Sequence, residues 1–134
     1  MRYPVAITKH RASCYGITVP DISECVSDGK TIDDAFRNAE EVISIHLSNL
    51  AESGIIPPKS SSVSELIDHP DYKGVVWAYI EINVSRYLGK SEKTTITLPA
   101  ILIKKIDDAV HHGAAKTRSA FLADSALTKL VISA

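Results

Sequence analysis

The sequence lacks the features that mark membrane-spanning and secreted proteins. Although 45% of its 134 residues are hydrophobic, no run approaches the roughly 20 consecutive apolar residues that a bilayer-spanning helix needs. The first residues, MRYPVAITKH, contain a proline and end in Lys9 and His10, so they do not form the apolar stretch of a signal peptide. We therefore predict a cytoplasmic protein that has no membrane partner.

Cysteine is scarce in this chain. There are two, Cys14 and Cys25, whereas a small secreted domain that is held together by disulfides would carry more. Their spacing is too wide for the Cys-x-x-Cys pair of a redox or zinc site. The sequence thus predicts two reduced thiols and no metal ion.

Recognisable catalytic patterns are also missing. There is no phosphate-binding loop, no zinc signature and no spacing that pairs a nucleophile with a base and an acid. Of the five histidines, His46 lies on the apolar face of a predicted helix and is expected to pack in the core, whereas His10 and His69 lie in predicted loops. His111 and His112 are adjacent, so a helix would point them about 100° apart. We predict no catalytic residues, no enzyme activity and no cofactor.

The charge is small overall but unevenly distributed. The net charge is −1, yet residues 1–89 contain 8 Lys and Arg against 12 Asp and Glu, whereas residues 90–134 contain 7 against 4. An excess of positive charge favours nucleic acid, and an excess of negative charge favours a basic partner. The sequence therefore predicts different partners for its two parts.

The amino-terminal part has the pattern of one helix packed on a small sheet. RYPVAIT and YGITV are β-rich, a polar connection, KHRAS, separates them, and a short third strand is expected near Glu24–Ser27. Apolar residues then recur every three or four positions between Thr31, a good helix cap, and Gly54, a good helix stop. After a surface segment over residues 55–74, the continuous apolar start of VVWAYIEINV indicates a central strand that is buried on both faces. The predicted order is β-β-β-α-β.

The carboxy-terminal part predicts a strand followed by two helices. KTTITLP alternates polar and apolar residues over 93–98, and helical spacing follows from Pro99 to about His111 and from about Arg118 to Val131. So short a segment cannot easily bury a stable core alone, and an isolated strand leaves its backbone groups unpaired. Both problems are solved if two chains pair these strands antiparallel and share one apolar core. The residues expected in this dimer core are Ile96, Leu98, Ile106, Leu122 and Leu127.

The face of the strand that is not used for this core suggests a nucleic-acid partner. A period of two places Lys93, Thr95 and Thr97 together on that face. A two-stranded ribbon fits the DNA major groove, where short hydroxyl side chains can bond base edges. We therefore predict that these three residues contact bases of double-stranded DNA.

The start of the second helix adds a candidate phosphate site at Thr117, Arg118 and Ser119, because free backbone N–H groups and the positive end of the helix dipole attract anions there. Strand KTTITLP, helix AILIKKIDDAV, a glycine-containing turn and helix KTRSAFLADSALTKLVI together resemble a ribbon-helix-helix DNA-binding domain. The resemblance implies that the outward strand residues read bases and that the start of the second helix binds phosphate.

The amino-terminal motifs resemble the HicB-type antitoxins. The match is carried over residues 3–59 by Tyr-Gly, V-P-D, a cysteine and S-D-G, then by T-x-x-D-A-x-x-N-A and a proline-rich exit. Together with the ribbon-helix-helix motifs, nearly the whole chain resembles one subgroup of that family. The resemblance implies an α+β protein with a partial RNase-H-like domain over residues 1–85, a linker over 86–92 and a ribbon-helix-helix domain over 93–134.

This resemblance also implies a function. HicB-type antitoxins bind and inhibit HicA, a small basic RNA-cleaving toxin, and repress their own operon by binding operator DNA. The acidic balance of residues 1–89 agrees with a basic partner. The first strand offers no carboxylate for the metal ions of an active RNase H, so the domain is expected to bind and not to cleave. The expected assembly is a homodimer through the C-terminal strands, with a tetramer through the amino-terminal domains as the alternative.

A second hypothesis stays open at this point. A ribbon-helix-helix repressor could respond to a small molecule or a metal ion instead of a toxin, with Cys14, Cys25 and His10 as candidate ligands in its first domain. A neighbouring gene for a small basic protein with a conspicuous histidine would favour the antitoxin, whereas an isolated gene would favour the sensor.

Overall fold

The computed structural model describes residues 1–10 and 14–133 of the chain. These form two compact units, an amino-terminal unit over Met1–Gly89 and a carboxy-terminal unit that starts at Lys90. Within the described part of the chain, no helix combines the length and the apolar character that a membrane span requires.

The boundary between the units lies inside the segment 86–92 that the sequence predicts as a linker. The first residues of that segment are structured, because Arg86 and Tyr87 belong to a 3₁₀ turn over Val84–Tyr87. The hydroxyl of Tyr87 donates to Ser44 Oγ at 3.1 Å, which ties this turn to the amino-terminal unit. Tyr87 is therefore packed with the amino-terminal unit, and the bounds of the linker stay a prediction.

Four antiparallel strands form the sheet of the amino-terminal unit. They are β1 (Arg2–His10), β2 (Cys14–Thr18), β3 (Val26–Gly29) and β4 (Val76–Glu81), in the spatial order β3-β2-β1-β4. The centre of the sheet is β1, which pairs with β2 on one side and β4 on the other and has five consecutive buried residues. The β-β-β-α-β order along the chain agrees with the prediction.

Two strand boundaries differ from the sequence-based prediction. The first strand extends through Lys9 and His10, so His10 lies on a strand and not in a loop, and the rest of the predicted connection KHRAS lies outside the described residues. The third strand begins at Val26, later than predicted, because Glu24 has a positive φ of 59° in a tight loop where the Val19 N–H bonds the Cys25 carbonyl at 3.0 Å.

The predicted central position of the strand in VVWAYIEINV is wrong, since β4 lies at an edge of the sheet. Apart from the buried Ile80, its side chains are partly covered or exposed, with Val76 65% and Tyr79 40% exposed. The aromatic residues of β4 contact individual side chains. The ring centroids of Trp77 and Tyr72 lie 5.4 Å apart in an edge-on contact, and the guanidinium carbon of Arg2 lies 4.5 Å from the centre of the Tyr79 ring. An apolar run therefore did not require burial on both faces.

The long helix α1 (Ile32–Glu52) covers one face of the sheet through a buried stripe of Ala35, Ala39, Ile43 and Leu47. The hydroxyl of Thr31 accepts from the Asp34 N–H at 3.1 Å, as predicted for the cap. A β-carbon at Gly29 would clash with the backbone nitrogen of Ala35, so glycine lets the helix approach β3 closely. The helix ends before Gly54, which has a φ of +71° and is the predicted stop.

The surface segment between α1 and β4 is anchored at several points. The Tyr3 hydroxyl donates to the Pro58 carbonyl at 2.7 Å, and the Asp21 carboxylate accepts from the Ser61 N–H and hydroxyl at 2.7 and 2.6 Å. The segment contains a short helix, α2 (Val63–Leu66), and a 3₁₀ turn over Pro70–Tyr72. These bonds hold it against the sheet.

The carboxy-terminal unit consists of helices α3 (Ala100–His111) and α4 (Arg118–Ser133) preceded by an extended segment. Pro99 stands at the cap of α3, and Gly113 has a φ of +91° in the turn between the helices. Residues 93–98 form no strand in the single chain and pair with none of the strands β1–β4. The strand prediction needs a second chain and stays a prediction.

Candidate functional site

The three predicted base-contacting residues lie in the extended segment before α3. Lys93, Thr95 and Thr97 are all exposed. Ile96, which the sequence places on the opposite face, is also 56% exposed. Both faces of the segment are therefore accessible in the single chain.

The predicted dimer core is mostly uncovered in the single chain. Ile106 is buried at 3% exposure, Leu98, Leu122 and Leu127 are half-buried, and Ile96 is exposed. Exposed apolar side chains on the same unit include Ile101, Leu102 and Leu130. Two helices alone thus enclose only one of the five side chains that the sequence assigns to a core.

The residues predicted to bind phosphate lie together at the start of α4. The Thr117 hydroxyl accepts from the Ala120 N–H at 3.1 Å, so this side chain caps the helix. Ser119 is exposed in the first turn. The hydroxyl of Thr117 is therefore used in capping α4, whereas Ser119 and the guanidinium of Arg118 lie at the surface.

Arg118 forms the main ion pair of the carboxy-terminal unit. Its Nε donates to Asp107 Oδ1 at 2.9 Å and its Nη2 donates to Asp107 Oδ2 at 2.7 Å, which joins the start of α4 to α3. The hydrogen bond from Arg118, more than its charge alone, lowers the pKa of Asp107, and the same bond raises the pKa of Arg118. Both groups stay charged at neutral pH. Asp107 was not among the predicted site residues, because it lies 11 positions before Arg118 and no local signal links the two.

The amino-terminal unit presents an acidic surface on the outer side of α1. Glu40 and Glu41 are exposed there, and the apolar side chain of Ile45 is 56% exposed one turn further on. Arg37 on the same helix is paired with Asp34 at 3.1 Å, which reduces its effect on a distant partner. A basic protein with an apolar contact residue would fit this surface.

Of the three residues proposed for a metal or ligand sensor, Cys14 and His10 lie side by side, whereas Cys25 lies in the core. Cys25 is buried in the core at 2% exposure, and burial raises the pKa of its thiol to about 11, which makes it unreactive. Cys14 and His10 are cross-strand partners at the ends of β2 and β1, and His10 Nε2 bonds the Thr8 hydroxyl at 2.9 Å. Across residues 1–10 and 14–133, no three His, Cys, Asp or Glu side chains lie close enough together to hold a metal ion.

The other histidines have local structural contacts. His46 is half-buried on α1, so it packs less deeply than predicted. His69 lies at the cap of the 3₁₀ turn and contacts Tyr72, while His112 Nδ1 bonds the Asp108 carbonyl at 2.7 Å. His69 Nδ1 also accepts from the Asp71 N–H at 3.2 Å and lies 3.7 Å from the Asp71 carboxylate, so its carboxylate contact is confined to the same turn.

Nearly the whole chain is similar to known antitoxins. Residues 3–126 match the family model described as HicB_like antitoxin of bacterial toxin-antitoxin system. The antitoxin HicB of Burkholderia pseudomallei is 41% identical, with a TM-score of 0.76 over 97% of this chain and 98% of that one. The antitoxin HicB3 is 31% identical, with a TM-score of 0.80 over 98% of both chains. A chain of the HicA3 and HicB3 toxin-antitoxin complex is 31% identical, with a TM-score of 0.53 over 62% of this chain and 99% of that one.

Proposed function

The chain belongs to the HicB-like antitoxins of bacterial toxin–antitoxin systems, and we propose that it neutralises a HicA-type toxin with its amino-terminal unit and represses transcription with its carboxy-terminal unit. The observation that carries the division of labour is the separation of the chain into two units of opposite charge balance, at Gly89 and Lys90. Each unit then binds the partner whose charge is opposite to its own.

Toxin binding is assigned to the amino-terminal unit. A related HicB3 chain is solved in a complex with the toxin HicA3, and the unit has an acidic balance that suits a basic protein. We assign the contact to the outer side of α1, where Glu40 and Glu41 supply charge and Ile45 supplies an apolar anchor. Charged residues at the rim speed association, and a central apolar residue contributes most of the affinity.

Dimerisation is assigned to the carboxy-terminal unit. Antiparallel pairing of residues 93–98 from two chains would satisfy their backbone groups and bring Ile96 and Leu98 over α3 and α4. Burial of one large apolar side chain contributes about 1.5–3 kcal/mol, and two-fold symmetry doubles each contribution. The exposed apolar residues of this unit are thus explained by a second copy of the chain.

DNA binding follows from the same dimer. The paired strands would present Lys93, Thr95 and Thr97 of both chains on the face opposite the helices, and the major groove admits a ribbon of two strands. The exposed Ser119 and Arg118 at the start of α4 would contact the phosphate backbone on either side. The positive balance of residues 90–134 supports this orientation.

The tetramer expected as an alternative has a candidate surface at β4. The opposite edge, β3, is covered by α1, where Asn38 Nδ2 donates to the Asp28 carbonyl at 2.8 Å. By contrast, β4 carries neither lysine nor proline, the residues that commonly protect an exposed edge. Antiparallel pairing of two β4 strands around Tyr79 would place Val76 opposite the partner's Ile82 and would cover both apolar side chains.

The proposed function is tested by co-purification of the full chain with a HicA-type toxin from the same operon. Size-exclusion chromatography should give one complex, and growth of cells that express the toxin should recover when the chain is co-expressed. In a separate assay, fluorescence anisotropy should show binding to duplex DNA from the operon's own promoter. A chain that binds promoter DNA but no HicA-type toxin would support the sensor hypothesis and contradict the proposal.

A further inference from the structure

The ion pair between Asp107 and Arg118 uses only part of the arginine. A guanidinium has five N–H donors in a rigid plane, and Asp107 accepts one from Nε and one from Nη2. The three remaining donors, two on Nη1 and one on Nη2, lie on the edges of the plane that Asp107 does not occupy. Arg118 can therefore hold Asp107 and bind a second anion at the same time.

We infer that Asp107 is a positioning residue for DNA binding: it fixes the Arg118 side chain at the start of α4 so that its free donors meet a DNA phosphate. The inference rests on the proposed DNA-binding function of the carboxy-terminal unit. A free arginine side chain loses much rotamer entropy when it binds. The bidentate contact with Asp107 removes that freedom before DNA arrives, since it fixes both the position and the plane of the guanidinium.

Positioning by Asp107 and simple charge counting predict opposite changes in DNA affinity when this carboxylate is removed. Removal of a carboxylate near DNA reduces repulsion of the phosphates and should strengthen binding. If Asp107 positions Arg118, its removal should weaken binding instead. The neighbouring Asp108 allows the two effects to be separated, because it is exposed on the same helix and is not bonded to Arg118.

The test compares Asp107→Asn with Asp108→Asn in the full chain, by anisotropy with a promoter duplex over a series of salt concentrations. Asp107→Asn should bind roughly tenfold more weakly, the effect of one lost charge-assisted hydrogen bond. Its plot of log K against log salt should be less steep by about one unit, as for one lost phosphate contact. Asp108→Asn should bind as tightly as the wild type or more tightly, with an unchanged slope, and Asp107→Glu should recover part of the affinity.

A double variant distinguishes positioning from general bracing of the two helices. In an Arg118→Ala background, Asp107→Asn should cause no further loss of affinity, because there is no arginine left to position. Thermal unfolding and sedimentation of each variant show whether fold and dimer are kept. Equal or tighter binding by Asp107→Asn, or weaker binding with an unchanged salt slope, would overturn the inference. A wild-type chain that binds no promoter duplex at any salt would overturn the DNA-binding function itself.

Discussion

The two units of the chain differ in how completely they bury their apolar residues. The amino-terminal unit has a continuous core in which Tyr3, Val5, Ile43 and Leu47 are fully buried between sheet and helix. In the carboxy-terminal unit, over the side chains that the structure describes, Ile106 alone is buried. The first unit has a complete core as a single chain, whereas we propose that the second acquires a core only with a second chain.

Because of this difference, we expect exposed apolar side chains to contact different partners in the two units. Where a core is already complete, an exposed side chain such as Ile45 is available for a different protein. Where a core is missing, we expect an exposed side chain such as Ile96 to be covered by a second copy of the chain. These two isoleucines are both 56% exposed, so exposure alone does not distinguish them.

The largest expected effect comes from exchanging these two isoleucines for lysine. Ile96→Lys should prevent dimerisation at micromolar concentration and abolish DNA binding, because two symmetric apolar contacts worth about 3–6 kcal/mol together are replaced by buried charge. Ile45→Lys should leave dimer and DNA binding intact and weaken toxin binding. Sedimentation velocity, anisotropy and toxin pull-down measure the three properties. The comparison fails if Ile96→Lys remains a dimer or if both variants lose the same activity.

A smaller effect is expected from the predicted base-contacting residues. Lys93→Ala, Thr95→Ala and Thr97→Ala should each weaken operator binding by about 1–3 kcal/mol, the value of one lost base contact, while the dimer is kept. Toxin neutralisation in a growth assay should not change, because the amino-terminal unit is untouched. An equal loss of both activities would contradict the assignment of the two functions to separate units.

The sequence allowed prediction of the elements that depend on local signals. Helix α1 was located from its apolar period, which runs along the helix, and from Thr31 and Gly54, which stand at its two ends. The two C-terminal helices were located in the same way. Helical periodicity and caps are properties of neighbouring residues, so they can be recognised without knowledge of the tertiary structure.

The features that the sequence did not reveal depend on contacts between distant residues. The apolar run in β4 is compatible with a central or an edge position, because composition does not tell which strands will pair with it. Its edge position could therefore not be predicted. Asp107 and Arg118 meet only because the turn at Gly113 brings α3 and α4 together. The outward direction of Lys93, Thr95 and Thr97 depends on a second chain and stays a prediction.

A still smaller effect is expected at the two edges of the sheet, where Val76 and Val26 form a matched pair that is 65% and 60% exposed. Val76→Lys should convert a tetramer to a dimer, since lysine on an edge strand opposes pairing with another strand. Val26→Lys should not change the assembly, because α1 already covers the β3 edge. Sedimentation at several concentrations checks both, and a wild-type chain that stays dimeric at all of them would rule out pairing at β4.

The smallest effect is a loss of stability at alkaline pH, which we expect in the amino-terminal unit and not in the carboxy-terminal unit. Burial raises the pKa of Cys25 from 9.0 to about 11, and burial together with the charge of Asp21 raises the pKa of Tyr3 from 10.0 to about 12. Because both groups keep their protons more tightly in the folded state, this contribution to stability is complete below pH 9 and is lost as the pH rises toward 11 and 12.

The carboxy-terminal unit contains neither cysteine nor tyrosine. Between pH 9 and 11, circular dichroism should therefore show a falling unfolding temperature, and Cys25→Ala should make that fall shallower. An equally steep fall in the variant would show that unfolding in base begins at a site other than Cys25.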